Sequence, residues 1–172
     1  MLKENIKKDG GPLGAFFDFT EREKDLLQSN RNLEIIKIQG LGNSIHVIDT
    51  AFDIIGNPID LIPKIEGHLD CHPSGTIFVG CGISKKNIPF SYHSDWQGSG
   101  RWGIEVSTKK NLYQLVPLEK LYCCPKGKFN WSEIPLNTAY SDLKTGVAEE
   151  ISMMLSNKKI KDEMISLSQG IE

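Results

Sequence analysis

The chain has 172 residues, with 20 lysines and arginines against 22 aspartates and glutamates, a net charge of −2 and four cysteines. A chain of this length buries roughly 70% of its unfolded surface as one domain, so neither a disulfide nor a metal is required for stability. The balanced charge, without a run of like charges, points away from nucleic acid and acidic membranes; the polar start has no signal-peptide core, no window approaches the roughly 18 apolar residues of a membrane span, and a cytoplasmic protein is expected.

Residues 1–10 read as a frayed, peripheral start and 157–172 as a peripheral end of a single domain spanning 1–172. From Gly11 to Thr20 the apolar positions Leu13, Ala15, Phe17 and Phe19 alternate as in a strand. Thr20-Glu21-Arg22-Glu23 resembles a helix cap with an acidic first turn, and the charged stretch to Asn32 reads as a helical turn or a surface loop. Leu33 to Ile38 returns to a β-rich pattern.

The segment Gly42 to Ile55 predicts a helix. Ile45, Val47, Ile48, Ala51, Phe52, Ile54 and Ile55 fill one half of its wheel, while His46, Asp49, Thr50 and Asp53 share a narrow polar stripe. Asn43 or Ser44 is suited to the N-cap, and Gly56-Asn57-Pro58 supplies the stop. The stripe is open to two readings, a solvated edge or a site. His46 stands apart because it lies in the first turn, where the positive helix end favours an imidazole that accepts or relays a proton.

Ile59 to Gly75 is punctuated by glycines and prolines, with a strand or loop near Ile62 to His68. Five strands then follow with turn signals between them: 76–80, 88–94, 102–108, 112–117 and 120–124, spaced for an antiparallel meander with Lys85-Lys86-Asn87 and Lys109-Lys110-Asn111 in the turns. Thr138 to Leu155 carries apolar residues at helical spacing and predicts a closing amphipathic helix. The fold class that results is α+β, a mostly antiparallel open sheet with helices packed on one face.

Two constellations invite over-reading. His68-Leu-Asp-Cys71-His72 places three possible zinc ligands close together, but it lacks a paired C-x-x-C, and no metal site is assigned. Adjacent Cys123-Cys124 argues for reduced thiols. Gly98-Ser-Gly100-Arg-Trp-Gly103 matches the dinucleotide fingerprint letter for letter, yet the β-alternating Ile104-Glu-Val-Ser-Thr follows where a helix is required. A glycine-rich turn is expected there, with no cofactor-binding residue in this chain.

Gly42-Asn-Ser-Ile-His46-Val-Ile-Asp49-Thr-Ala-Phe52, followed by Ser91-Tyr-His-Ser-Asp95-Trp-Gln-Gly-Ser-Gly-Arg101-Trp-Gly-Ile-Glu105-Val, resembles the C-terminal domain of the Gfo/Idh/MocA oxidoreductases. Asp18-Phe-Thr-Glu21 and Leu143-Lys-Thr-Gly146 fit the same pattern, and the likeness runs from about Asp9 to Leu155, nearest to members found with surface-polysaccharide biosynthesis. The resemblance implies an NAD(P)-dependent sugar oxidoreductase whose N-terminal Rossmann domain, with its Glu-Lys-Pro lysine, has no counterpart here. It implies His46 as the catalytic histidine and Asn43, Asp95, Trp96 and Arg101 as substrate-binding residues, with Trp102 a further candidate for ligand or subunit contact. It also implies a homo-oligomer formed through the open sheet face, a chain that is either a truncated gene product or the partner of a separately encoded Rossmann domain, and NAD or NADP bound only with such a domain. Gly42 stands where many members carry an aspartate. The alternative is a catalytically silent binding or assembly module of the same fold.

Overall fold

The structure, a computed structural model, describes residues 1–22, 32–38, 40–69 and 75–135, together with Val147, Ile151, Ser152 and Leu155. The chain divides into two units, Met1–Pro135 and Leu136–Glu172. In the second unit the four described residues are helical, and the rest of the predicted closing helix lies outside the described residues.

The first unit is an eight-stranded sheet with helices on one face. Its strands are β1 (Pro12–Phe19), β2 (Pro58–Glu66), β3 (Ile77–Ser84), β4 (Pro89–Asp95), β5 (Trp102–Thr108), β6 (Asn111–Leu115), β7 (Leu121–Pro125) and β8 (Ser132–Ile134), in the order β2-β3-β4-β1-β5-β6-β7-β8. All neighbours are antiparallel except β1 and β4, which run parallel. The α+β class is therefore as the pattern predicts, but the meander is interrupted. β1 inserts between β4 and β5, so the 96–101 connection crosses its C-terminal end.

Alternation shows which face is buried. Phe17 and Phe19 of β1, Phe90 of β4, and Ile104 and Val106 of β5 form the core with Val47, Ala51, Ile54 and Ile55 of α3 (Ile45–Ile55). Phe52 of α3 meets Phe17 and Phe90 edge-on, with centroid separations of 5.6 and 5.2 Å. Helix α3 ends where its pattern predicts, at Gly56, whose φ of 87° is a backbone conformation that favours glycine. The β3–β4 turn caps it: Ser84 Oγ donates to Ile55 O at 2.7 Å, and Lys86 Nζ donates to Ile54 O at 3.1 Å.

Two stretches differ from the sequence expectation. Residues 2–8 are not frayed but form α1 (Leu2–Lys8), because Leu2 and Ile6, one turn apart, both reach the core, Ile6 being buried. Leu33–Lys37 is a short helix, α2, rather than a strand. There the Asn32 side chain accepts the Glu34 N–H at 3.0 Å, and Lys37 pairs with Glu34 at 2.7 Å. A cap and an i,i+3 pair decide this segment against the β propensity of its isoleucines.

A buried latch ties the end of α1 to the β5–β6 turn. Asp9 Oδ2 accepts from Asn111 Nδ2 at 2.7 Å, Tyr113 OH at 2.9 Å and Thr108 Oγ1 at 2.9 Å. Burial by itself raises the Asp9 carboxyl, but the bonds from Asn111, Tyr113 and Thr108, with the charge of Lys110, outweigh it and hold the group below its ordinary 3.8. Burial, then the bond to Asp9, pushes Tyr113 up to about 12. The Asp9 contribution is thus present above the unfolded carboxyl value and lost as pH falls through the lower folded one; that of Tyr113 is present below pH 10 and lost as pH rises toward about 12. Urea midpoints measured across pH should show Asp9→Asn flattening the acid limb and Tyr113→Phe the alkaline limb. Unchanged limbs in both variants would reject the latch.

Candidate functional site

The C-terminal end of β1 is held firmly before it reaches the site. Ser94 Oγ donates to Phe19 O at 3.1 Å, the Asp95 N–H donates to Thr20 Oγ1 at 2.9 Å, and the Thr20 N–H donates to Asp18 Oδ1 at 2.8 Å. The next residue, Glu21, is buried, and its carboxylate is aimed at the start of α3. Asn43 Nδ2 lies 3.1 and 3.2 Å from its two oxygens, and Ser44 Oγ donates at 2.9 Å.

Neither Asn43 nor Ser44 caps the helix through its side chain, as the sequence predicts one of them would. Both are taken by Glu21, and residues Gly40–Ser44 wind as a wider π-type turn into α3. One turn on, His46 is exposed, with its ring 6.3 Å from that of Trp102 at a 50° tilt. The polar stripe splits: Asp53 pairs with Lys3 of α1 at 2.5 Å, while Thr50 Oγ1 donates back to His46 O at 2.6 Å. Burial pushes the Asp49 carboxyl up; the charge of Asp53 adds to this and that of His46 opposes it.

The glycine-rich stretch behaves as a crossing loop. Gly98 to Arg101 passes over the end of β1, and a Cβ at Gly100, whose φ is 37°, would run into the Arg22 side chain. Trp102-Gly-Ile-Glu then continues as strand β5, where the dinucleotide fingerprint would require a helix. Among the described residues, no group of three metal-ligating side chains comes together, and Cys71 and His72 lie outside them.

Of the residues singled out from sequence, the structure brings His46 and Trp102 together on the helix face, with Asn43 held by Glu21 three residues before His46. Asp95 turns back on its own loop, accepting the Gln97 N–H at 2.9 Å. Trp96 is buried in a satellite cluster with Leu69 and Phe78. Arg101 lies over Gly103 on the other face of the sheet and reaches Glu105 at 3.4 Å. There it joins a polar row: Gln114 donates to Glu105 at 2.8 Å, and His93 Nδ1 lies 3.0 Å from Asp18 Oδ2. Glu21, which the sequence offered only as part of an acidic cap-like stretch and of the family pattern, is the residue that holds Asn43 and Ser44. An acid two residues past a strand is an ordinary loop residue until its burial is known.

No protein-family model and no curated protein sequence matches the chain. Solved structures do. UDP-N-acetylglucosamine 3-dehydrogenase GnnA from Acidithiobacillus ferrooxidans superposes with a TM-score of 0.59 at 10% identity, over 87% of this chain and 46% of that one. The dehydrogenase MviM from Clostridium difficile gives 0.60 at 15%, over 87% and 47%. Levoglucosan dehydrogenase, in complex with NADH and levoglucosan, gives 0.61 at 10%, over 78% and 43%. The chain spans less than half the length of each. At these identities the likeness establishes the fold, and it is a fold that these dehydrogenases carry as one part of a longer chain.

Proposed function

We propose that this chain is the substrate-binding and oligomerisation half of an NAD(P)-dependent oxidoreductase of the Gfo/Idh/MocA type, acting on a sugar or nucleotide sugar. The observation that carries the reading is His46, exposed in the first turn of α3 against Trp102, within a fold shared with three dehydrogenases. His46 moves a proton to or from a substrate hydroxyl, while Trp102 offers its ring to the apolar side of a sugar. Asn43, oriented by Glu21, holds the turn beside them. The one match to a dinucleotide fingerprint among the described residues, Gly98–Gly103, leads into strand β5 rather than into a helix. Hydride chemistry therefore belongs to a nicotinamide held by a separate Rossmann domain. The open sheet face, with its Asp18–His93 and Arg101–Glu105 row, is the surface for a second copy.

The test is a titration followed by NMR. Nucleotide sugars added to the purified chain should shift the His46 ring and Trp102 indole signals, whereas NAD(H) alone should not bind. With the Rossmann domain supplied, His46→Ala should lower turnover about 10²- to 10⁴-fold, the usual weight of a general acid or base. Tight NAD(H) binding by this chain alone would overturn the proposal. Sugar binding with turnover indifferent to His46→Ala would favour the silent binding module, a reading that Gly42, standing where many family members have an aspartate, also favours.

A further inference from the structure

The even charge of the chain hides an uneven distribution in space. Lys7 and Lys8 close α1, Lys109 and Lys110 make the β5–β6 turn, and Lys126 and Lys128 belong to the connection from β7 to β8; all six are exposed. The fold draws these three stretches together: the Lys126 N–H donates to Lys110 O at 2.8 Å, and Lys110 Nζ donates to Lys8 O at 3.3 Å. Asp9, the acid set among them, is buried and bonded to Asn111, Tyr113 and Thr108. Beside the lysines stand two exposed aromatic rings, Phe129 at 94% and Trp131 at 40%. A phenylalanine left almost wholly in water next to a concentrated positive charge is a combination that chain stability does not call for.

We propose that this end of the sheet docks on an anionic lipid bilayer, with the six lysines over the headgroups and Phe129 and Trp131 at the interfacial level. Clusters of four to eight basic residues are what such surfaces attract, and aromatic rings settle at the boundary between headgroups and acyl chains. Two features favour lipid over nucleic acid. All six cations are lysines, point charges suited to diffuse attraction, rather than the forked arginines that read phosphates and bases. Phe129 protrudes without a supporting surface, unlike the packed rings of a base-stacking groove. Association is peripheral, since among the described residues no helix is long and apolar enough to cross a membrane. The absence of a charged run in the sequence concealed the patch because its lysines come from three separate stretches. The surface lies at the Pro12–Thr108 end of the β1–β5 pair and His46 at the Phe19–Trp102 end, so docking leaves the His46 site uncovered.

The test is co-sedimentation of the purified chain with phosphatidylcholine vesicles, with and without phosphatidylserine. Binding is expected only with phosphatidylserine, and added salt should release it. Lys126→Ser with Lys128→Ser should weaken binding more than tenfold, at about fivefold per lysine. Phe129→Ser should weaken it while leaving the melting temperature unchanged, since the ring packs on nothing. Equal binding to uncharged vesicles, or no vesicle binding at all, would overturn the proposal. So would binding of a single-stranded oligonucleotide without vesicle binding, or self-association abolished by Phe129→Ser in the absence of lipid binding.

Discussion

Replacing Phe17 by alanine is expected to destabilise the first unit by about 3–5 kcal/mol, the usual cost of deleting a buried aromatic ring. Phe17 is 1% exposed and sits in the middle of the sheet, with Tyr92 as its β4 neighbour and Ile104 as its β5 neighbour. Its ring stacks on Phe90 and Tyr92 at 6.1 and 5.7 Å and meets Phe52 of α3 edge-on. The two flanking strands and the helix converge on this side chain, so the cavity cannot close without moving the sheet against α3. Urea denaturation should show a lower midpoint with an unchanged slope, and Phe17→Leu should recover part of the loss. A loss below about 1.5 kcal/mol, the range of a volume-conserving swap, would mean that the aromatic cluster does not set the helix-to-sheet packing.

Removing the Glu21 carboxylate should be the next largest effect, about 2–4 kcal/mol, because Glu21→Ala leaves the Ser44 hydroxyl and the Asn43 amide without the acceptor they share. The consequence reaches His46, one turn along, whose place beside Trp102 depends on how the Gly40–Ser44 turn enters α3. In the NMR spectrum the His46 ring protons should lose the ring-current shift from Trp102. Glu21→Gln alone sets one NH₂ group against that of Asn43. Adding Asn43→Asp reverses the polarity of the pair, letting the glutamine donate to the new carboxylate while its oxygen still accepts from Ser44. The double variant should therefore recover both stability and the His46 shift, a coupling that a double-mutant cycle reads directly. If Glu21→Ala leaves the His46 signals in place, the carboxylate supports the fold without positioning the histidine.

Sequence by itself determined helix α3 and the buried faces of β1, β4 and β5, because each has one face on the core and burial writes a period of 3.6 or 2 into the order of residues. It also singled out His46 as a candidate and read Gly98–Gly103 as a glycine-rich turn leading into a strand, as β5 shows, since that reading rests on what immediately follows. Tertiary structure alone decided the rest. Alternation reports which face of a strand is buried but not which strand lies beside it, so the insertion of β1 between β4 and β5, joining residues some 75 positions apart, left no local trace. The same holds for the site. Arg101 and Trp102 are adjacent in sequence and lie on opposite faces of the sheet, Trp96 is buried in a satellite cluster, and Glu21 matters only because Asn43 and Ser44 are brought onto it. The physical reason is common to all of these: periodicity records how each residue meets solvent, whereas pairing, buried polar contacts and the gathering of six lysines at one end depend on chain segments that meet only after folding.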